Sequence, residues 1–321
     1  MPFHRLALLF TALLVPACLV DGEPTPFPVD ELADQERCLG CQWGPPLTNT
    51  HGLNGLSVSA LDMTGETYDG WTLHSIEIVN DRGIEPVYDV RASEGVLYGR
   101  DANGREYTGD EFVDSRWTIV LEESGKSVVM EVDDFVPDPA AARYTFVGGD
   151  GSVPTDDKGG FTCALDPETQ EYSVVLFDDL DVDPDDGTHF ERPDTIYFGC
   201  LSGAVGKSAL WGYSPWRADH ASHQTASRAV RADFCGDGTP YTVQGTGLQI
   251  TDVFHLRDFT KEEKATEAMW GPNGAECIMT PRLGQRPEDI LCDSGQTLPL
   301  CGIDDDLQDW PNARLWTKIW E

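Results

Sequence analysis

Positive charge is scarce in this sequence. Its 321 residues include 22 Lys and Arg against 56 Asp and Glu, which gives a formal net charge of −34 at pH 7. Such a surface repels the phosphate backbone of nucleic acids. Nucleic acid is therefore excluded as an expected partner, and an anionic membrane face is disfavoured. Cations are the natural counterions, and the charge favours solubility.

Long hydrophobic runs are also missing. The longest apolar stretch, Leu6–Val15, follows His4 and Arg5. A helix needs about 20 apolar residues to cross a bilayer, so this stretch is too short to span. A basic start, an apolar centre and small residues at the end are typical of a removable signal peptide, which we predict over residues 1–17. The mature chain is then exported.

The residues at the end of this signal point to a lipid anchor. The run Val15–Cys18 is similar to a bacterial lipobox, in which the cysteine becomes the lipidated first residue. We expect lipid on Cys18, a tether and linker over residues 18–50, and an outer-membrane or cell-surface location. Pro16 is unusual in a lipobox, so ordinary cleavage after Ala17, giving a periplasmic or secreted protein, stays open.

Cysteine is plentiful, and its spacing favours disulfides over zinc. The only CxxC pair is Cys38 and Cys41, without the second such pair that a four-cysteine zinc site needs. With Cys18 lipidated, eight cysteines remain for up to four bridges in an oxidising compartment. These candidates are Cys38, Cys41, Cys163, Cys200, Cys235, Cys277, Cys292 and Cys301.

Motifs of known catalytic chemistry are absent. There is no G-x-S-x-G, and the HxxH pair His220 and His223 lacks the glutamate of zinc proteases. We predict no catalytic residue. A nucleophilic dyad of Cys235 and His223 is the alternative, and it would make the protein a secreted hydrolase.

The pattern over residues 51–150 predicts an N-terminal β region, either an antiparallel barrel or a sandwich. Alternating apolar residues change phase near Ser75, which indicates a bulge. Asn103–Gly104 and Ser124–Lys126 are typical of hairpin turns between such strands. A Gly- and Asp-rich stretch, Gly148–Gly160, marks a candidate boundary.

A second β region follows over residues 155–300, with one or two helices. Helical spacing predicts the first helix over Trp216–Phe234. The second is expected over Thr260–Trp270, with Thr260 and Glu263 as a capping box. Residues 301–321 are expected to dock as a C-terminal tail with a helical apolar stripe. Its members are Leu315, Trp316, Ile319 and Trp320. The predicted fold class is mainly β (α+β).

The most distinctive motif is an eight-residue segment, called here the signature segment. It consists of Arg231, Ala232, Asp233, Phe234, Cys235, Gly236, Asp237 and Gly238. With Trp211–Trp216, Gly245–Asp252 and Gly274–Cys277 it resembles the ADYC domain over about residues 160–282, with Phe234 in place of the usual tyrosine. The resemblance implies an ADYC-type lipoprotein, of a family found mainly in myxobacteria and their relatives. It implies no activity, substrate or catalytic residue.

The chain departs from the family where Ser208 and Ala226 stand, since the family usually has cysteine at both positions. Their joint loss implies that these cysteines bridge each other in relatives. A structural role accounts for the signature segment: Cys235 cross-links a helix end, with Cys277 as a candidate partner, and its glycines permit positive φ. Arg231 is expected to bind a carboxylate.

Two binding sites are candidates. The basic cluster of Arg217, Arg228, Arg231 and His223 is expected to pair internally with carboxylates such as Asp219 and Asp233, and an anion-binding face is the alternative. The acidic run 178–187 is expected to be a solvated turn between two strands, and a calcium site at Asp181, Asp183 and Asp185 is the alternative.

These observations predict a non-enzymatic cell-envelope lipoprotein. It would be held to the membrane through Cys18, be stabilised by disulfides, and bind a protein or glycan partner at the cell surface. A secreted hydrolase with a site near the signature segment, and a calcium-stabilised surface protein, are the alternatives.

Overall fold

A computed structural model of the protein describes residues 47–54, 56, 58–80, 83–148, 163–257, 265–292 and 295–320. Several predictions fall outside these residues: the signal peptide, lipidation of Cys18, most of the predicted tether, and Cys38 and Cys41 as disulfide candidates. No helix within the described ranges is long and apolar enough to cross a membrane.

The described residues form sixteen strands and two α-helices, so the mainly β fold class is confirmed. The strands are β1 (Leu47–Thr48), β2 (Ala60–Asp62), β3 (Thr67–Tyr68), β4 (Trp71–Asn80), β5 (Gly83–Ser93), β6 (Val96–Asp101), β7 (Glu106–Thr108), β8 (Arg116–Leu121), β9 (Lys126–Val136), β10 (Arg143–Gly148), β11 (Ser173–Val182), β12 (His189–Cys200), β13 (Gly247–Asp252), β14 (Thr266–Gly271), β15 (Gly274–Ile278) and β16 (Leu315–Trp320). The helices are α1 (Ala204–Ser208) and α2 (His220–Arg231).

The larger sheet contains eleven of these strands and is antiparallel throughout. Its order is β2-β12-β11-β10-β9-β8-β4-β5-β6-β7, with β3 paired to β4. On β8 alternate residues such as Trp117 and Ile119 point inward, because the side chains of a strand alternate between its two faces, whereas β11 is buried along most of its length. Trp117 meets Phe146 and Phe198 edge to face, with ring centroids 5.6 and 6.1 Å away. Side chains from distant strands thus share one core.

The local signals in this sheet are confirmed. The pairing of β4 with β8 shifts register between Leu73 and Ser75, which is the predicted bulge. The turn at Asn103 and Gly104 joins β6 to β7, and Gly104 N donates to Asp101 O at 3.0 Å. Residues 122–125 join β8 to β9. Short-range patterns were sufficient because turn residues and alternation act locally.

The same sheet includes strands from both sides of the boundary expected at 148–160. Residues 149–162 lie outside the described ranges. β10 pairs directly with β11, with Tyr144 opposite Val174. β2 pairs with β12 in the same way, with Leu61 opposite Ile196.

The smaller sheet has the order β1-β13-β16-β14-β15, and its central strand corrects one prediction. The expected helical stripe at the C-terminus is wrong: Leu315–Trp320 is β16, hydrogen-bonded to β13 on one side and β14 on the other. Leu315 and Thr317 are fully buried, whereas Trp316 and Lys318 are only partly buried. This period of two is that of a strand, and pairing with distant strands outweighs the helical spacing.

The second helix, predicted over Thr260–Trp270, is also wrong in the part that the structure describes. Thr260 and Glu263 lie outside the described residues, but Thr266–Gly271 is β14. Four consecutive side chains of β14, from Glu267 to Trp270, are fully buried. A strand covered on both faces reads as a continuous run rather than an alternating one, so it is easily confused with a helix.

The helix predicted over Trp216–Phe234 is confirmed in type but is shorter at both ends. Asp219 caps α2 by accepting a hydrogen bond from Ser222 N at 2.6 Å. At the other end Ala232 adopts a left-handed conformation with φ 52°, which ends the helix. The buried face of α2 packs on α1 and on the smaller sheet. The signature segment therefore begins at the C-terminal end of α2.

Candidate functional site

The signature segment is built around a buried ion pair. Arg228 of α2 donates from Nη1 to Asp233 Oδ2 at 2.7 Å, and both side chains are almost fully buried. Arg228 Nε also donates to Pro272 O at 2.7 Å. Burial raises the pKa of the Asp233 carboxyl despite the nearby Arg228 and Arg231 guanidinium groups. The arginine predicted to bind an external anion is thus already paired inside the protein.

The acidic turn between β11 and β12 docks onto this pair. Arg228 Nη1 donates to Asp186 O at 3.0 Å, and Gln224 Oε1 accepts from His189 N at 2.9 Å. Gly238 has φ 85°, and a Cβ there would collide with Asp185 O. Only glycine fits such a close approach without strain. Gly238 therefore lets the turn lie directly against the signature segment.

This docking leaves the predicted calcium ligands apart. Asp181 is buried and accepts from Tyr68 Oη and Val182 N, whereas Asp183 Oδ1 accepts from Asp185 N at 2.8 Å. Burial raises the pKa of Asp181. Within the described part of the chain, no three Asp, Glu, His or Cys side chains are grouped to hold a metal ion. Asp181 lies in a strand and the other two in the turn, so the expected grouping is not formed.

Phe234 and Cys235 of the signature segment attach it to the rest of the fold. Cys235 is bonded to Cys292, so the suggested partner Cys277 is wrong; Cys277 is bonded to Cys301. Phe234 is fully buried and stacks on Trp270, with ring centroids 5.1 Å apart. A third bond joins Cys163 to Cys200. Six of the eight candidate cysteines are thus paired, and the other two lie outside the described residues.

Two of the remaining residues of the predicted anion-binding face, Arg231 and His223, point inward. Arg231 Nε donates to His51 O at 3.2 Å and its Nη2 donates to Gly238 O. His223 is fully buried, stacks on Phe177 and contacts Val205 O through Nε2 at 3.0 Å. Burial lowers the pKa of His223 to about 3. Only Arg217 of the four is exposed, so the face predicted from helical spacing is wrong. His223 is fully buried and Cys235 is bonded to Cys292, so neither side chain is available for the alternative nucleophilic dyad.

The other segments of the predicted motif set meet in the same core. Tyr213 donates to Asp252 Oδ2 at 2.7 Å, and Ala275 N donates to Phe234 O at 2.8 Å. Asp252 also accepts backbone N–H bonds from Phe254, Leu256 and Arg257, and burial raises its pKa. Ser208 Oγ lies 3.1 Å from the Oγ of Ser227, the neighbour of Ala226. Residues far apart in sequence thus stabilise one scaffold.

Sequence reasoning missed a second buried ion pair beside this scaffold. Arg282 contacts Glu267, and both side chains are fully buried. Arg282 Nη1 also donates to Val230 O at 2.9 Å, near the C-terminal end of α2, while Thr317 Oγ1 donates to Glu267 Oε2 at 2.7 Å. Glu267 lies in the segment that was predicted to be the second helix, so the sequence gave no indication of its pairing with Arg282. The pair joins α2 to the centre of the smaller sheet.

A surface with the composition of a binding site was also missed. We call Ile84, Tyr88, Arg91, Tyr98 and Arg100, on the hairpin of β5 and β6, the Tyr–Arg face. Tyr88 is opposite Arg100 and Arg91 is opposite Tyr98, with a register shift between Tyr88 and Arg91. Opposite residues of an antiparallel pair share a face, and the bulge brings both pairs to the same side.

The side chains of the Tyr–Arg face are exposed and ordered by one another. Ile84 and Tyr88 are 57% and 52% exposed, and the Arg91 guanidinium lies 5.6 Å from the Tyr98 ring centroid. Arg100 Nε donates to Asp89 Oδ2 at 2.6 Å. Tyrosine and arginine are enriched among the residues that dominate protein interfaces. The signal in the sequence was the alternation of these residues along β6.

The comparisons with known proteins agree with the motif set. The model of the ADYC domain matches residues 109–284, which is more than half of the chain. No curated protein and no solved structure matches the chain. The match begins well before the predicted region at 155, within the larger sheet. The chain belongs to the ADYC domain family.

Proposed function

We propose that this protein is a non-enzymatic binding module of the cell envelope, exported and anchored by lipid on Cys18. One observation carries the proposal: the groups of the signature segment that could react or bind are used inside the fold. Cys235 is in a disulfide, Arg228 is paired with Asp233, and Arg231 donates to two backbone carbonyls. Site chemistry needs such groups to converge on a pocket, whereas here they hold segments together.

The proposed compartment follows from the sulfur chemistry. Disulfides persist in oxidising compartments such as the bacterial periplasm and the cell surface. All six cysteines in the described part of the chain are bonded in pairs. The net charge of −34 keeps such a protein soluble and separated from other anionic molecules.

The Tyr–Arg face is the surface proposed for binding. It presents two tyrosines and two arginines on a rigid hairpin, in a chain whose remaining charge is mostly negative. The net negative charge of the chain repels acidic partners at long range, so the favoured partner is a protein with a neutral or basic contact surface. A glycan partner is the alternative that the experiment below must separate.

The anchor is tested by mass spectrometry of the mature protein with a Cys18→Ser control. We expect an N-terminal peptide that begins at residue 18 and carries lipid, and we expect the Cys18→Ser variant to leave the membrane fraction. Retention of residues 1–17 in the mature chain, with the protein in the cytosol, would contradict export.

Binding is tested by capture from envelope fractions with immobilised protein. We expect the Tyr88→Ser/Tyr98→Ser variant to lose a partner that the wild type and an Ile303→Ser control both retain. Ile303 is 90% exposed and lies outside the Tyr–Arg face, so it controls for loss of surface apolar area. Protease treatment of the fraction should abolish capture; capture that survives protease but not glycosidase would identify a glycan instead. Equal capture by all three proteins would contradict the proposed surface.

The hydrolase alternative has its own test at Cys235. Under native, non-reducing conditions we expect Cys235 to resist alkylation, because its thiol is bonded to Cys292. Rapid alkylation at this position would return the enzyme to consideration.

A further inference from the structure

A lysine lies fully buried against two carboxyl groups on the inner side of α1. Lys207 Nζ contacts Asp166 Oδ1, and neither side chain is exposed. Glu168 Oε2 lies 3.5 Å from the same nitrogen. Lysine is almost never fully buried unless it is paired. This trio is separate from the signature segment and has no part in the proposed binding surface.

The three side chains are held in position by their surroundings. Asp166 N donates to Glu171 O at 2.9 Å, and Gln170 N donates to Asp166 O at 2.8 Å, which fixes the turn that carries both acids. Glu168 Oε2 accepts from Thr48 N and Thr48 Oγ1 at 3.2 and 2.8 Å. The amine and the carboxyl are therefore kept together, as reactants held in one orientation are in an active site.

The second oxygen of Asp166 has its own donors. Thr169 N and Thr169 Oγ1 donate to Asp166 Oδ2 at 2.9 and 3.1 Å. Two fixed donors on one carboxyl oxygen stabilise negative charge that develops there when a nucleophile attacks the carbon. Oδ1, the other oxygen, is the one that faces Lys207.

The identity of the cation distinguishes this pair from the other buried pairs. Arg228 with Asp233, and Arg282 with Glu267, use guanidinium groups, which stay charged. Among the ion pairs of the described residues, lysine occurs only here. A neutral amine is a nucleophile, whereas a guanidinium group is not.

We propose that Lys207 and Asp166 form an intramolecular isopeptide bond, with Glu168 as the catalytic acid and base. One ammonium proton of Lys207 passes to Asp166 Oδ1, which leaves a neutral amine and a neutral acid. Nζ then attacks Asp166 Cγ, and negative charge collects on Oδ2 beside Thr169. Glu168 takes a second proton from the nitrogen and gives it to Oδ1, the Cγ–Oδ1 bond breaks, and water leaves. The product is an amide between Nζ and Cγ, Glu168 is regenerated, and no oxidant or cofactor is needed.

The bond would duplicate a neighbouring cross-link in a form that reduction cannot break. The Cys163–Cys200 disulfide spans 37 residues, and Asp166 and Lys207 are 41 apart and enclose nearly the same segment. β11 and β12 would stay joined in a reducing environment. This consequence does not depend on the proposed function.

The test is the mass of the purified, folded wild-type protein after complete reduction and alkylation. We expect a mass lower than that of the processed sequence by one water molecule, and a branched proteolytic peptide that joins the Asp166 and Lys207 segments. A linear Lys207 peptide with a free amine, together with the full sequence mass, would overturn the proposal. This measurement needs no variant, so a folding defect cannot obscure it.

Two variants assign the roles of the side chains. Lys207→Arg keeps the charge but lacks the amine, so we expect this variant to have the full mass of its sequence, without loss of water. Circular dichroism reports whether the variant folds. Glu168→Gln cannot shuttle the proton, so we expect the uncross-linked form of this variant to accumulate. Its conversion should be at least about tenfold slower than that of the wild type, since general acid–base catalysis contributes about 100-fold or more. Cross-linking of Glu168→Gln at the wild-type rate would remove Glu168 from the mechanism.

Discussion

The larger sheet buries aromatic side chains from distant strands against one another, whereas the smaller sheet surrounds fully buried ion pairs. Trp117, Phe146 and Phe198 form the centre of the first core. Glu267 and Arg282 lie at the centre of the second, which also has two of the three disulfides found among the described residues. Packing stabilises the first mainly by removing apolar area from water, while the second depends on matched polar partners and covalent bonds.

The largest effect is expected where a buried charge loses its partner in the smaller sheet. Glu267→Ala leaves Arg282 uncompensated, and we expect the free energy of unfolding to fall by about 5 kcal/mol, the upper end for breaking a buried pair. Chemical denaturation measures the loss. The control is Glu267→Leu with Arg282→Met, which removes both charges and should recover part of the stability. A single variant no less stable than the double one would contradict this account of the smaller core.

Truncation in the larger core is expected to cost slightly less. Trp117→Ala removes a fully buried ring and leaves a cavity, so we expect a loss of about 4 kcal/mol. Trp117→Phe keeps an aromatic group against Phe146 and should lose less. Urea denaturation of both variants gives the comparison. Equal losses would show that the ring contacts do not order this core.

The disulfides offer a comparison between the two sheets directly. Cys235→Ser/Cys292→Ser should cost about 3 kcal/mol, because the bond closes a long loop in the unfolded chain. Cys163→Ser/Cys200→Ser should cost less than about 1 kcal/mol if the amide between Lys207 and Asp166 already closes nearly the same loop. Thermal unfolding of both double variants measures the difference. A cost of about 3 kcal/mol for the second variant would argue that its loop has no other cross-link.

The smallest effect is a dependence on pH that is centred on α2. The pKa of His223 is lowered by burial from 6.5 to about 3, so the unfolded chain binds this proton more readily. Stability from this group is complete above pH 6.5 and is lost as pH falls toward 3, by at most about 1.4 kcal/mol per pH unit. His223→Gln should reduce the loss of unfolding free energy between pH 7 and pH 5. His74→Gln, at an exposed position on β4, serves as the control, because His74 is not among the groups that act on the pKa of His223.

The larger sheet could be predicted from sequence far better than the smaller one. The bulge at Ser75 and the turns at Gly104 and Gly125 depend on neighbours in sequence, which a pattern records. Trp316 and Trp270 lie in strands that pair with distant segments, and helical spacing at both places was coincidental. The order of strands in a sheet is set by contacts that no local pattern contains.

The candidate site could likewise be predicted only in part, because some of its features are local and others depend on distant segments. Motif resemblance found the ADYC segments, and Gly236 and Gly238 occupy the tight loop that the sequence predicted. The carboxylate expected as the partner of Arg231 is wrong, because Arg231 donates to the backbone carbonyls of His51 and Gly238. The partner of Cys235 could not be chosen, because cysteine spacing does not determine connectivity. Helical spacing placed Arg228 and Arg231 together but could not say that both are covered by other segments.

The position of β16 has a consequence for how the chain folds. β1 begins at residue 47 and β16 ends at residue 320, yet both belong to the same five strands, with β16 between β13 and β14. During synthesis the earlier strands emerge without their central neighbour and must wait for it. Cys235 and Cys277 emerge before their partners as well, so oxidation that outruns the last residues traps wrong pairs. A tag or truncation that disturbs Leu315–Trp320 therefore acts on the middle of the sheet, and the assembly of this domain is a late event rather than a gradual one.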